Sequence, residues 1–168
     1  MVAEEKQQHC NVDGYEVLTT ALRDLVNRYP GLADSEEITF AVLDQNNRIA
    51  MFPVSGAVLE TETNTVTGRV IQVCLYPFYV VYRVADLSEN NKAAVKEWLD
   101  NLGKWLERQT VTINDTKHRL DEYPVLTGQK KLLSIARVTS GYLDKTNEDN
   151  TEDWVIQLRA QYQNEFQK

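Results

Sequence analysis

The run IQVCLYPFYVVYRV, Ile71 to Val84, is the densest apolar and aromatic stretch of the chain, and SENNKAAVKEWLDNLGKWLER follows it almost at once. Side chains alternate faces along a strand. Val73, Leu75, Tyr79 and Val81 therefore fall on one face, and Cys74, Tyr76, Phe78, Val80 and Tyr82 on the other. One face is expected to meet helices. The other has to meet another part of the chain or a neighbouring subunit. The second stretch is helical: Val95, Trp98, Leu99, Leu102, Trp105 and Leu106 form one apolar stripe. Ser88 is placed to cap it, with Glu89 suiting the dipole in the first turn. Both tryptophans are expected in the core. Pro77 cannot donate to a sheet ladder, so it implies an edge position, a bulge or a break.

The remaining segments build outward from that pair. Residues 1–12 form a loose polar start, expected to be flexible. Asp13 and Glu16 sit like a capping box, and Leu18, Ala21, Leu22, Leu25 and Val26 form a helical stripe that Pro30-Gly31 ends. Ile38–Leu43 and Arg48–Pro53 are expected to be two strands of a hairpin, joined by the turn residues Asp44–Asn47. Thr61–Thr67 suits a hairpin tip or mobile loop, with Gly68 at a bend or bulge. Thr110–Leu120 is a loop or short edge strand. Lys131–Tyr142 and Trp154–Tyr162 are expected to pair as an antiparallel hairpin across an acidic loop, Asp144–Asp153. The order predicts an α+β domain, 1–168, in which two main helices pack on one face of a largely antiparallel sheet.

The formal net charge of -7 argues against broad nucleic-acid binding, and Lys130-Lys131 is too short to make a basic patch. Val70–Ala85 contains Gln72 and Arg83 and falls short of the roughly 18–20 clean apolar residues of a membrane helix. The polar MVAEEKQQHC has no apolar core of a signal peptide. Cys10 and Cys74 lack metal-like spacing and are expected to be free thiols. No phosphate-binding glycine loop, GxSxG, HExxH or CxxC occurs. His9 and His118 have no partner at ligand spacing. Asp121-Glu122 and Glu152-Asp153 are the carboxylate pairs that a fold would have to bring together for acid–base work. Asp144, Asn147, Asp149 and Asn150 offer oxygens to a cation, but without the glycine and terminal glutamate of an EF-hand loop. No catalytic residue, metal or cofactor is expected.

One set of segments carries a resemblance: Tyr29–Leu32, Arg48–Pro53, Tyr76-Pro77-Phe78, Val81-Tyr82-Arg83, Trp98–Glu107, Tyr123–Thr127, and Glu152–Trp154 with Tyr162–Phe166. In this order they resemble the minor capsid or tail-terminator family of tailed phages and prophages of Gram-positive bacteria, over about Tyr15 to Phe166. The resemblance implies a virion structural protein, assembled in the host cytoplasm, with a helix-backed sheet. It implies a ring, commonly of six copies, that caps the tail tube and joins tail to head. The partners would be other copies of the chain, the tail tube protein and the head–tail connector, with DNA passing the channel without specific binding. Ring contacts need two different patches. The candidates are the hairpin tip (Thr63, Thr65), the acidic loop (Asp144, Asp149) and the polar face of the last strand (Gln157, Arg159, Gln161). Alternatives are a tail tube or connector component, a ligand-binding α+β domain, or an enzyme without a recognisable motif.

Overall fold

A computed structural model describes residues 18–168. The expectations for the polar start, the Asp13 cap, His9 and Cys10 lie outside the described residues. Helix α1 occupies 18–26 within them. The strands are β1 (Ile38–Phe40), β2 (Ile49–Pro53), β3 (Val58–Asn64) and β4 (Arg69–Val84). After helix α2 (Glu89–Leu106) come β5 (Val111–Ile113), β6 (Thr116–His118), β7 (Lys130–Arg137), β8 (Tyr142–Thr146) and β9 (Glu152–Gln167). Seven strands form one mixed, mostly antiparallel sheet in the order β1-β2-β4-β9-β7, with β3 also on β4 and β8 also on β9. The fold is α+β.

β4 and β9 pair in unbroken antiparallel register from Arg69↔Gln167 to Val84↔Glu152. The pleat sends Cys74, Tyr76, Phe78 and Val80 to one face, level with Tyr162, Ala160, Leu158 and Ile156. All eight are buried in one core with Leu18, Leu22 and Leu25 of α1 and Val95, Leu99 and Leu102 of α2. Both helices therefore lie on that face. Ser88 caps α2 as its sequence suggests, accepting the Asn91 N–H at 3.4 Å. The helices meet through aromatic rings. Tyr29, beyond the end of α1, lies edge-on to Trp98 at 5.3 Å and tilted to Trp105 at 5.6 Å. Trp98 donates its indole N–H to the Gly31 carbonyl at 2.9 Å. Both tryptophans are structural, as expected.

Four expectations are corrected. β1 and β2 run parallel, Ile38↔Ile49 to Phe40↔Met51, and do not form a hairpin. A three-residue strand is only about 10 Å long, so residues 41–48 suffice to return the chain; Ala41 turns it at φ 55° and Asp44 accepts the Asn46 and Asn47 N–H groups at 2.8 Å. Pro77 neither breaks β4 nor puts it at an edge. Its carbonyl accepts from Val54, in the gap where β2 gives way to β3. In an extended residue N–H and C=O point the same way, so the donor that proline lacks faces that gap. Lys131–Tyr142 is two strands: the chain leaves the sheet after Arg137, touches α2 where Gly141 donates to Asp100 at 2.7 Å, and returns as β8. Both strands pair β9, and the acidic loop shrinks to a turn because Asp144 and Asp153 belong to strands. Finally, Cys74 is buried and disulfide-bonded. Spacing along the chain does not limit which thiols a fold brings together.

Gly103 lies in α2 where the helix crosses the sheet. Alanine in place of a helix-interior glycine ordinarily stabilises by about 1 kcal/mol. Here the added methyl would sit 2.6 Å from Arg137 Cδ and 2.7 Å from Ile156 Cδ1. Ile156 is fully buried, and Glu107 holds the Arg137 guanidinium at 2.5 Å, so neither yields freely. Overpacking of this kind costs about 1–3 kcal/mol. Gly103→Ala is therefore expected to lower the urea midpoint at unchanged slope. A midpoint above wild type would show that helix propensity outweighs the clash.

Candidate functional site: the open face of the sheet

The other face of β4 carries Ile71, Val73, Leu75, Pro77 and Tyr79, all half-buried. No helix among the described residues covers them, so within those residues this face of β4 is closed less fully than the helix-backed one. At one end Val81 and Val155 are buried. Phe52 of β2 stacks on Tyr79 with centroids 5.4 Å apart and planes 11° from parallel. Next to this apolar row runs a polar one from β9: Gln163 opposite Val73, Gln161 opposite Leu75, Arg159 opposite Pro77 and Gln157 opposite Tyr79. Gln161 donates to Glu60 of β3 at 2.7 Å, a bridge that spans β4. Gln157 donates to the Tyr142 hydroxyl at 2.8 Å. Arg69 and Glu165 pair across the same face at 2.5 Å. The polar arms lie along an apolar floor, as at the rim and centre of a protein–protein contact.

Four of the seven expected interface residues share this face: Thr63, opposite Ile71, with Gln157, Arg159 and Gln161. Asp144 lies beside it, where β8 shifts register, close enough for its charge to act on Tyr79. The last two lie in turns. Thr65 accepts the Arg69 N–H at 3.0 Å, and the Asp149 carboxylate accepts from the Thr151 hydroxyl at 2.7 Å. Tyr79 stands on the strand face expected to need a second partner, whereas Glu60, Tyr142 and Phe52 were missed as contact residues. Tyr79 and Phe52 had a signal, the alternation of their strands; Glu60 and Tyr142 had none, because strand order decides what they reach.

The acidic turn is closed by its own side chains. Asn147 donates to Thr151 at 2.9 Å and to Asp153 at 3.1 Å, and Asp149 is held by Thr151. No group of three or more His, Cys, Asp or Glu suited to a metal occurs among the described residues. Glu152 and Asp153 do not act together, because the pleat sends neighbours to opposite faces. Glu152 lies 3.0 Å from Lys92 of α2. Asp153, almost fully buried, receives two bonds from the Arg83 guanidinium, at 2.8 and 3.0 Å. Among the described residues no helix is long and apolar enough to cross a membrane. No protein-family model matches the chain, and no curated protein matches it significantly.

Partial burial, reinforced by the Asp144 carboxylate, raises the Tyr79 hydroxyl above the usual tyrosine value. A nearby negative charge disfavours the phenolate. Asp144→Asn is therefore expected to bring the Tyr79 titration down, read by NMR on ring-labelled tyrosine. An unchanged midpoint would place Asp144 away from the open face.

Proposed function

We propose that this chain is a virion structural protein of the tail-terminator kind: it closes into a ring, caps the tail tube and offers the surface that joins tail to head. The observation that carries the proposal is the open sheet face. Helices close one side of the sheet, while the other presents an apolar row flanked by polar arms and holds four of the residues expected to make contacts. Capping needs no chemistry. It needs one surface that accepts the last tube subunit and another that refuses the next. The resemblance along the sequence points the same way.

Electron microscopy of the protein mixed with the tail tube protein of its own phage tests this. Tubes of limited length with a ring at one end are expected, and rings of uniform subunit number from the chain alone at high concentration. Unchanged tube growth would sink the proposal. Open tubes built from this chain alone would instead favour a tube component.

The acidic balance, -7 overall, suits a channel through which DNA slides without sticking. Glu148 and Asp149 are exposed on the β8–β9 turn. Replacing both with lysine is expected to leave capping intact and reduce the yield of infectious particles. Undiminished yield would argue against that turn lining the channel.

A further inference from the structure

One end of the helix-backed face holds buried polar atoms that lack partners. Val70, Gln72 and Cys74 follow one another along that face of β4, opposite Phe166, Asn164 and Tyr162 of β9. Val70, Gln72 and Asn164 are each no more than 2% exposed, and Cys74 is fully buried. Val70 is nevertheless outside the core that α1 and α2 close. The Gln72 amide donates to Glu62 at 3.0 Å. The Gln72 side-chain oxygen and the Asn164 side-chain nitrogen are buried with no partner among the described residues. Taking such atoms from water without a hydrogen bond costs stability, so packing alone holds a cover here weakly.

A covalent tie reaches the same spot. The chain holds two cysteines, Cys10 and Cys74. Cys74 is disulfide-bonded, and no cysteine among the described residues is free. Its side chain is enclosed within the subunit, so a second molecule's thiol does not reach it. Thr19, near the start of the described part of α1, lies 3.1 Å from the Tyr76 hydroxyl. Cys74 is two residues from Tyr76 on the same face of β4, about 7 Å away. Residues 11–17 join Cys10 to α1. Extended, they span roughly 25 Å, so they have length to spare for crossing the end of the face.

We infer that Cys10 bonds to Cys74 and that residues 10–17 form a redox-released strap over Val70, Gln72 and Asn164. Oxidised, the bond holds the strap down against the unpaired polar atoms. Reduced, the tie is gone, the strap lifts, and water satisfies Gln72 and Asn164. A dithiol such as dithiothreitol attacks one sulfur, and its second thiol then resolves the mixed disulfide. Two electrons pass: the reductant becomes a cyclic disulfide, and Cys10 and Cys74 become thiols. Cytosolic thiol pools favour the open form and oxidising surroundings the closed one. The inference goes beyond the tail reading and does not depend on it.

Intact mass after alkylation in denaturant, paired with hydrogen exchange of residues 11–17, tests it on the full chain. After equilibration with oxidised glutathione, no alkylated thiol and a monomer on a non-reducing gel are expected. After dithiothreitol, two alkylated thiols are expected. Exchange in 11–17 is expected to quicken at least tenfold on reduction, as local opening does, while the amides of Phe78 and Leu158 stay protected. Cys10→Ser is expected to match the reduced protein with or without reductant, and thermal melting checks that it is folded. Free thiols in the oxidised protein, or disulfide-linked dimers, overturn the pairing. Unchanged exchange in 11–17, or quickening throughout β4 and β9, overturns the strap. No ring or tube enters these measurements, so failure here is distinct from failure of the tail reading.

Discussion

The β4–β9 ladder is the constraint on which the rest of the structure depends. Sixteen residues of each strand pair without interruption. A one-residue slip would move every core side chain to the other face. Here it would push Tyr76, Phe78, Leu158 and Tyr162 out from under the helices and draw Arg159 and three glutamines into the core. Burying one large apolar side chain is worth about 1.5–3 kcal/mol, so the register is set by many such terms acting together. The ladder also decides what each edge can hold. β2 and β3 share one side of β4, and β7 and β8 share one side of β9. Both central strands are longer than any neighbour, so two short strands fit along each.

Much of this is legible in the sequence. Alternation marks the last strand, the i, i+3, i+4 stripe marks α2, and a turn signature marks the β3–β4 connection. Those are local signals, and the structure keeps them. Strand order is not local. Nothing in ITFAVL says that its partner runs parallel, because the turn chemistry of Asp44–Asn47 serves either outcome. The bridge from Gln161 to Glu60 depends on β4 lying between them. The carboxylates Glu152 and Asp153 look like a pair along the chain and are separated by the pleat. The open face was legible only as a choice: a strand apolar on both sides needs two covers, and the helices supply one.

Sheet edges are where a protein is most exposed to uncontrolled growth, because unpaired N–H and C=O groups template a new strand. Three edges here are blunted by three devices. β1 is three residues long, and Asn27 mimics a strand partner for Ile38, accepting its N–H at 2.7 Å and donating to its carbonyl at 2.9 Å. Along β7 the Ile135 N–H goes to the Tyr123 hydroxyl at 3.2 Å, the Arg137 N–H to the Glu107 carboxylate at 3.4 Å, and Lys131 pairs with Val125. β8 is short, shifted in register at Asp144, and presents Asp144 and Lys145 side by side, both exposed.

Blunted edges move association from backbone to side chains. Backbone pairing is indifferent to sequence and adds strand after strand, whereas a side-chain contact ends where its complement ends. For the cap proposed here, that distinction matters more than affinity. A tube subunit gains from surfaces that repeat at both of its ends. A cap needs the repeat at one end only, with lateral contacts that close on themselves. An apolar floor bordered by hydrogen-bonded glutamines suits the first requirement, provided that the covering surface meets the charges of Arg159 and Glu60 on the same face. The edges held shut by Asn27, Tyr123 and Glu107 suit the second. Both follow from a sheet whose two described helices lie on one side and leave the other side open among the described residues.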